Sequence, residues 1–133
     1  MRLKRSMFPV FLIVVFAIFS CNDKNDSIKK DLAGSWKMMG MGGVGAARIP
    51  DSIKQLMYGT RFMQFTEGGE MIATSEGVPE QQHGNFTIDD DGKTLITSRN
   101  GRASDTMVIN KLTKDTLILL IKGANIEVTW IPK

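Results

Sequence analysis

The sequence predicts a small all-β domain, an eight-stranded antiparallel up-and-down barrel with one short helix between its first and second strands. Three observations predict it. From Leu32 onward, short runs of β-formers recur, separated by turn residues such as Glu67-Gly68-Gly69, Asp91-Gly92 and Gly123-Ala124-Asn125. The last run alternates, with Ile126, Val128 and Trp130 on one face and Glu127 and Thr129 on the other. Eight short strands must also hide their edges, and closing the sheet does so completely. A two-sheet sandwich is the alternative.

The elements follow in order. Residues 1–20 read as an export leader and a signal helix. Arg2, Lys4 and Arg5 precede a stretch from Met7 to Phe19 that is apolar apart from Pro9, and the small residue Ser20 precedes Cys21. The apolar run is shorter than the roughly 20 residues that span a bilayer. A buried core helix is the other reading, but nothing caps the run and three cations precede it. Ile18-Phe19-Ser20-Cys21 resembles a bacterial lipobox, although Ile stands where Leu is usual and bulky Phe19 follows it. The resemblance implies lipidation at Cys21 and attachment to the membrane through that lipid. A lone cysteine has no intramolecular disulfide partner, and each buried methylene of an acyl chain adds about 0.8 kcal/mol of membrane affinity.

Three of the 17 Lys+Arg lie in the leader, which leaves 14 against 14 Asp+Glu, so the pI of 9.1 belongs to the precursor. A near-neutral remainder gives no support to nucleic-acid binding, which needs a clustered basic face. Residues 21–31 are polar beyond the cysteine and read as a flexible tether, and 32–133 form one domain.

Within that domain, strands are predicted over Gly34 to Gly40, Arg61 to Thr66, Glu70 to Ser75, Gly84 to Asp89, Thr94 to Ser98, Asp105 to Leu112, Thr116 to Lys122 and Ile126 to Ile131. Leu117 to Ile121 is apolar at every position, as in a strand covered on both faces. The helix starts at Pro50-Asp51-Ser52 and stops at Gly59, with Ile53, Leu56 and Met57 on one side. It is expected to lid or plug one end of the sheet.

Leu32-Ala33-Gly34-Ser35-Trp36-Lys37 is similar to the Gly-x-Trp opening strand of the lipocalins. The layout beyond it resembles the short lipocalin-like domains of Bacteroidetes lipoproteins. An aromatic strand Phe62 to Phe65 leads to Gly68-Gly69, and Gly84-Asn85-Phe86-Thr87-Ile88 runs into an Asp-Gly turn. This resemblance implies a structural Trp36 at the closed end of the barrel, under a cation that Lys133 or Lys122 would supply. It also implies an envelope or outer-membrane location, and Asp23 and Asp26 loosely resemble surface-sorting acids. A small apolar or amphipathic ligand is expected at the barrel mouth, lined by Met39, Met41, Leu56, Met57, Tyr58 and Phe62. The competing expectation is a barrel filled by its own side chains, acting as an interaction module in an envelope protein assembly.

Other motifs carry less. Gly40-Met41-Gly42-Gly43-Val44-Gly45 fits a nucleotide-loop pattern, but Pro50 leaves no room for the phosphate-binding helix, and a mobile loop over the mouth is expected instead. Met39 and Met41 could converge on Cu(I), with Met38 on the opposite face, but core or mouth packing is the strongly favoured reading. Asp89-Asp90-Asp91-Gly92 lacks the Glu of a calcium loop at its twelfth position, where Asn100 stands, and reads as a turn. His83 is placed in a loop, and Glu67, Glu70, Glu76 and Glu80 around turns. No enzyme, metal site or cofactor is expected.

Overall fold

The computed structural model describes residues 25–133; the leader, Cys21 and residues 22–24 lie outside the described residues. Eight strands close into an antiparallel up-and-down barrel in the order β1 to β8, each paired with its neighbour in sequence and β8 paired with β1. The strands are β1 (Gly34–Gly42), β2 (Arg61–Phe65), β3 (Glu70–Ser75), β4 (Val78–Ile88), β5 (Thr94–Arg99), β6 (Arg102–Leu112), β7 (Leu117–Ile121) and β8 (Ile126–Pro132). A helix α1 occupies 25–32, a 3-10 turn Ala46–Arg48, and a second helix α2 Asp51–Met57. Every predicted strand and the predicted helix are present.

Residues 25–31, read as part of a flexible tether, are helical instead. Their sequence has one apolar residue, Ile28, and in a helix it stands one turn before Leu32. Both pack on the core, and Leu32 is fully buried. Ala33 N–H donates to the Lys29 carbonyl, and Asn25 Nδ2 donates to the Ile88 carbonyl at 3.4 Å, fastening the helix against one end of the barrel.

That end is solid. Phe65 and Phe86 meet edge to face at 5.3 Å and 84°, among Leu95, Leu117 and Trp36. The Trp36 indole N–H donates to the Leu32 carbonyl at 2.8 Å. The cation expected over Trp36 is elsewhere: Lys133 Nζ lies 4.6 Å from the centre of the Phe62 ring. Trp36 faces inward and Lys133 ends an outer edge, so they cannot meet across the wall.

Turn chemistry sets the opposite end. Asn100 (φ 56°) and Gly101 (φ 76°) join β5 to β6 between the paired Arg99 and Arg102, a two-residue link that needs positive φ at both positions. Glu76-Gly77 joins β3 to β4 in the same span, between Ser75 and Val78. The predicted coil before Gly84 is therefore strand, and His83 is in β4, opposite Ile72. Its polar composition hid it. Pairing with β3, and not an apolar alternation, holds it extended. Of β7, Leu117 and Leu119 are buried, whereas Ile118 and Leu120 on the outer face are half-buried and not covered.

Candidate functional site

The upper half of the barrel is hollow. A cavity of about 340 Å³ begins above Trp130 and opens between the β1–β2 loop and the β3–β4 hairpin. That volume is at the small end of ligand pockets. Trp130 is in register with Met38 and Leu117, one inward layer above Trp36. Met38, Met107, Leu119 and Val128 continue the apolar wall upward from it, and Met63 and Ala73 face them from β2 and β3. Met57 and Ile121 stand higher. Polar groups gather at the rim, from Arg61, Ser75, Glu80 and Gln82. Arg99 donates to the Gln82 side-chain oxygen at 2.9 Å, fixing one stretch of that rim.

A bulge decides which methionines face inward. β1 and β8 keep register as far as Met38 and Trp130, then resume at Gly40 and Thr129, so Met39 is the extra residue. The alternation therefore slips by one. Met38 is buried, Met41 packs on the core, and Met39 is 42% exposed, which overturns the expected convergence of Met39 with Met41. Met38 is the methionine of β1 that lines the cavity.

Helix α2 is turned as well. Lys54, Met57 and Tyr58 face the barrel: Met57 and Tyr58 pack on its core, and the Lys54 side chain is 17% exposed beside Asp51 at 3.7 Å. Ile53 and Leu56 are 48% and 74% exposed. The chain leaving α2 fixes this rotation. Gly59 N–H donates to the Met38 carbonyl at 2.8 Å, and Met41 N–H donates to the Tyr58 hydroxyl at 3.1 Å. Both bonds hold the end of α2 against β1.

Of the six expected lining residues, Met57 and Phe62 border the cavity. Phe62 also borders an outer groove with Lys133. Met41 and Tyr58 stand at the mouth, while Met39 and Leu56 point to solvent. Arg61, Met63, Val78, Met107, Val128 and Trp130 were not in the expected set. Inward alternation in β6 and β8 marks Met107, Val128 and Trp130; nothing in the polar run after Gly77 marks Glu80 or Gln82.

The glycine-rich segment lies against the β7–β8 turn at Gly45. Gly45 N–H donates to the Asn125 carbonyl at 3.0 Å, and a methyl group on Gly45 would collide with the Ala124 carbonyl. The four carboxylates expected around turns are spread out: Glu67 borders a hollow against α1, Glu70 one with His83, Glu76 the outer groove, and Glu80 the cavity rim. Asp91 is engaged in its turn. It accepts hydrogen bonds from the Thr94 hydroxyl at 2.7 Å and from the Lys93 and Thr94 amides, each at 2.9 Å. These bonds lower its pKa from 3.8 to about 2, with the Thr94 hydroxyl contributing most.

The chain matches no family model, no curated protein and no solved structure to which it was compared.

Proposed function

We propose that this protein is a membrane-anchored, lipocalin-like binding module that carries a small, mainly apolar ligand without chemically altering it. The observation behind this reading is the apolar chamber above Trp130, open at one end and packed solid at the other. A core needs no such hollow. An unfilled apolar space of this size sacrifices packing contacts, and cavities weaken proteins by about 24 cal/mol per Å³ in large-to-small substitutions. Retaining it is understandable if something enters.

On this reading Cys21 carries the lipid. Three residues separate it from Asn25, four steps along the chain with a reach of at most roughly 14 Å, and Asn25 is bonded at the solid end. The bilayer would then lie beneath α1 and the mouth would face away from it. Val44, Ile53, Leu56 and Val78, all well exposed, are carried on the loop, helix and hairpin at the mouth. They favour a partner in the envelope that receives or delivers ligand there, which joins the interaction reading to the carrier reading.

Ala73→Phe tests the chamber by filling it. Titration of the neutral fluorophore N-phenyl-1-naphthylamine should show saturable binding to the parent protein and none to the variant, with the circular dichroism of both alike. Equal binding by both would place the probe elsewhere and refute the carrier reading. Cell fractionation of Cys21→Ser tests the anchor; retention on membranes would contradict lipidation there.

A further inference from the structure

Methionine is concentrated where the barrel is hollow. The closed end is packed by Phe65, Phe86, Leu95 and Leu117, side chains that are aromatic or branched. Around the chamber, Met38, Met57, Met63 and Met107 outnumber Leu119 and Ile121 together. These methionines come from β1, α2, β2 and β6, so no single strand pattern accounts for them. In the closed strand order β2 and β6 lie on opposite sides of the barrel, which sets Met63 and Met107 on opposite walls.

A flexible side chain is a poor choice for a wall that only has to fold. Methionine loses more rotamer freedom on burial than leucine, and it specifies packing less sharply. What it adds is a polarisable sulfur on an adaptable stem. Each stem is rooted in the wall, so the thioether is the part that reaches inward. Trp130 adds to this lining: its Nε1 is buried, so what the indole shows the chamber is ring carbon.

Resting on the carrier reading, we propose that the chamber selects an aromatic guest, a compact fused-ring molecule held between thioethers from opposite walls. Thioether sulfur contacts aromatic rings favourably, often at the ring edge, whereas a saturated guest gains only from the bulk of the side chain. Trp130 supplies an aromatic surface against which the same guest can lie edge-on or offset. Polar groups stand at the rim, so a polar substituent of the guest points to the mouth. A soft cation would also suit thioethers. It would need them drawn together on one point, and walls set apart by a hollow of about 340 Å³ do not present them so.

The test uses 2-naphthol and its saturated counterpart, decahydro-2-naphthol, each displacing N-phenyl-1-naphthylamine from the parent protein and from Met63→Leu/Met107→Leu. Leucine nearly conserves the apolar volume and removes the sulfur. The ratio of aromatic to saturated affinity should fall about fivefold in the variant. In a methyl proton–carbon spectrum of the parent, the ring current of 2-naphthol should move the Met63 and Met107 signals and leave exposed Met39 in place. Should the variant fail to fold, that spectrum decides alone. An unchanged or larger ratio, or unmoved Met63 and Met107 methyls with 2-naphthol bound, overturns the aromatic proposal and leaves the carrier reading standing. So does failure of both compounds to displace a probe that itself binds. A parent protein that takes up neither the probe nor either compound overturns both.

Discussion

The Leu32 carbonyl oxygen receives the indole N–H of Trp36 at 2.8 Å, and both residues are buried. This one bond ties the last residue of α1 to the third residue of β1. It makes the helix part of the barrel floor and gives Trp36 a definite orientation above it.

Trp36→Phe therefore removes a buried hydrogen bond and part of a packed ring. A loss of about 2–4 kcal/mol is expected, combining the bond with the space left behind. Urea denaturation measures it. Amide exchange over 25–32 should quicken more than in β5, because α1 loses its fastening to β1. A loss below about 0.5 kcal/mol, the scale of a surface substitution, would mean that α1 is not held by this contact.

Most of the fold was legible in the sequence because its signals are local. Glycine turns such as Asp91-Gly92, alternation in β8 and the Pro50-to-Gly59 helix each depend on neighbouring residues. The site was less legible because two non-local events rearranged it. The bulge at Met39 inverts the inward pattern of β1, and its presence depends on pairing with β8. The rotation of α2 depends on Tyr58 and Gly59 bonding to β1, which outweighs the apolar face formed by Ile53 and Leu56. Polarity concealed the remaining wall, since Glu80 and Gln82 are strand residues that border an opening and need no apolar alternation.

Asp91 makes stability depend on acid. Its pKa is lowered to about 2 in the folded protein from an ordinary 3.8. A depressed carboxyl contributes stability above its unfolded pKa, and the contribution disappears as pH falls through the folded value. The parent should therefore exceed Asp91→Ala in urea midpoint at pH 6, and the gap should narrow between about pH 4 and pH 2. A gap of equal size at pH 6 and pH 2 would show that the carboxylate bonds to Thr94 and Lys93 are not its source.

Two glycines of the same segment should respond differently to alanine. At Gly45 the added methyl meets the Ala124 carbonyl and the Ile126 side chain, while at Gly42 it meets nothing within 4 Å. Neither needs a positive φ, so the contrast isolates steric crowding. Gly45→Ala should destabilise by about 1–3 kcal/mol, as overpacking does, and loosen the β7–β8 turn from the mouth. Gly42→Ala should change stability by less than about 0.5 kcal/mol. Calorimetry on the pair decides the matter; matching melting temperatures would mean that the 43–45 segment is not held against that turn.

Met57 and Leu56 are adjacent in sequence, yet only Met57 packs on the core and borders the chamber, whereas Leu56 is 74% exposed. Met57→Ala should remove side-chain bulk at the rim, with a stability loss at or below about 2 kcal/mol because the residue is only partly buried. A wider opening lowers the barrier to escape, so N-phenyl-1-naphthylamine should dissociate several-fold faster in stopped-flow dilution. Leu56→Ala should leave both quantities near the parent values, within about 0.5 kcal/mol for stability. The opposite pattern, with Leu56→Ala accelerating release and Met57→Ala silent, would mean that α2 presents its Ile53 and Leu56 face to the barrel.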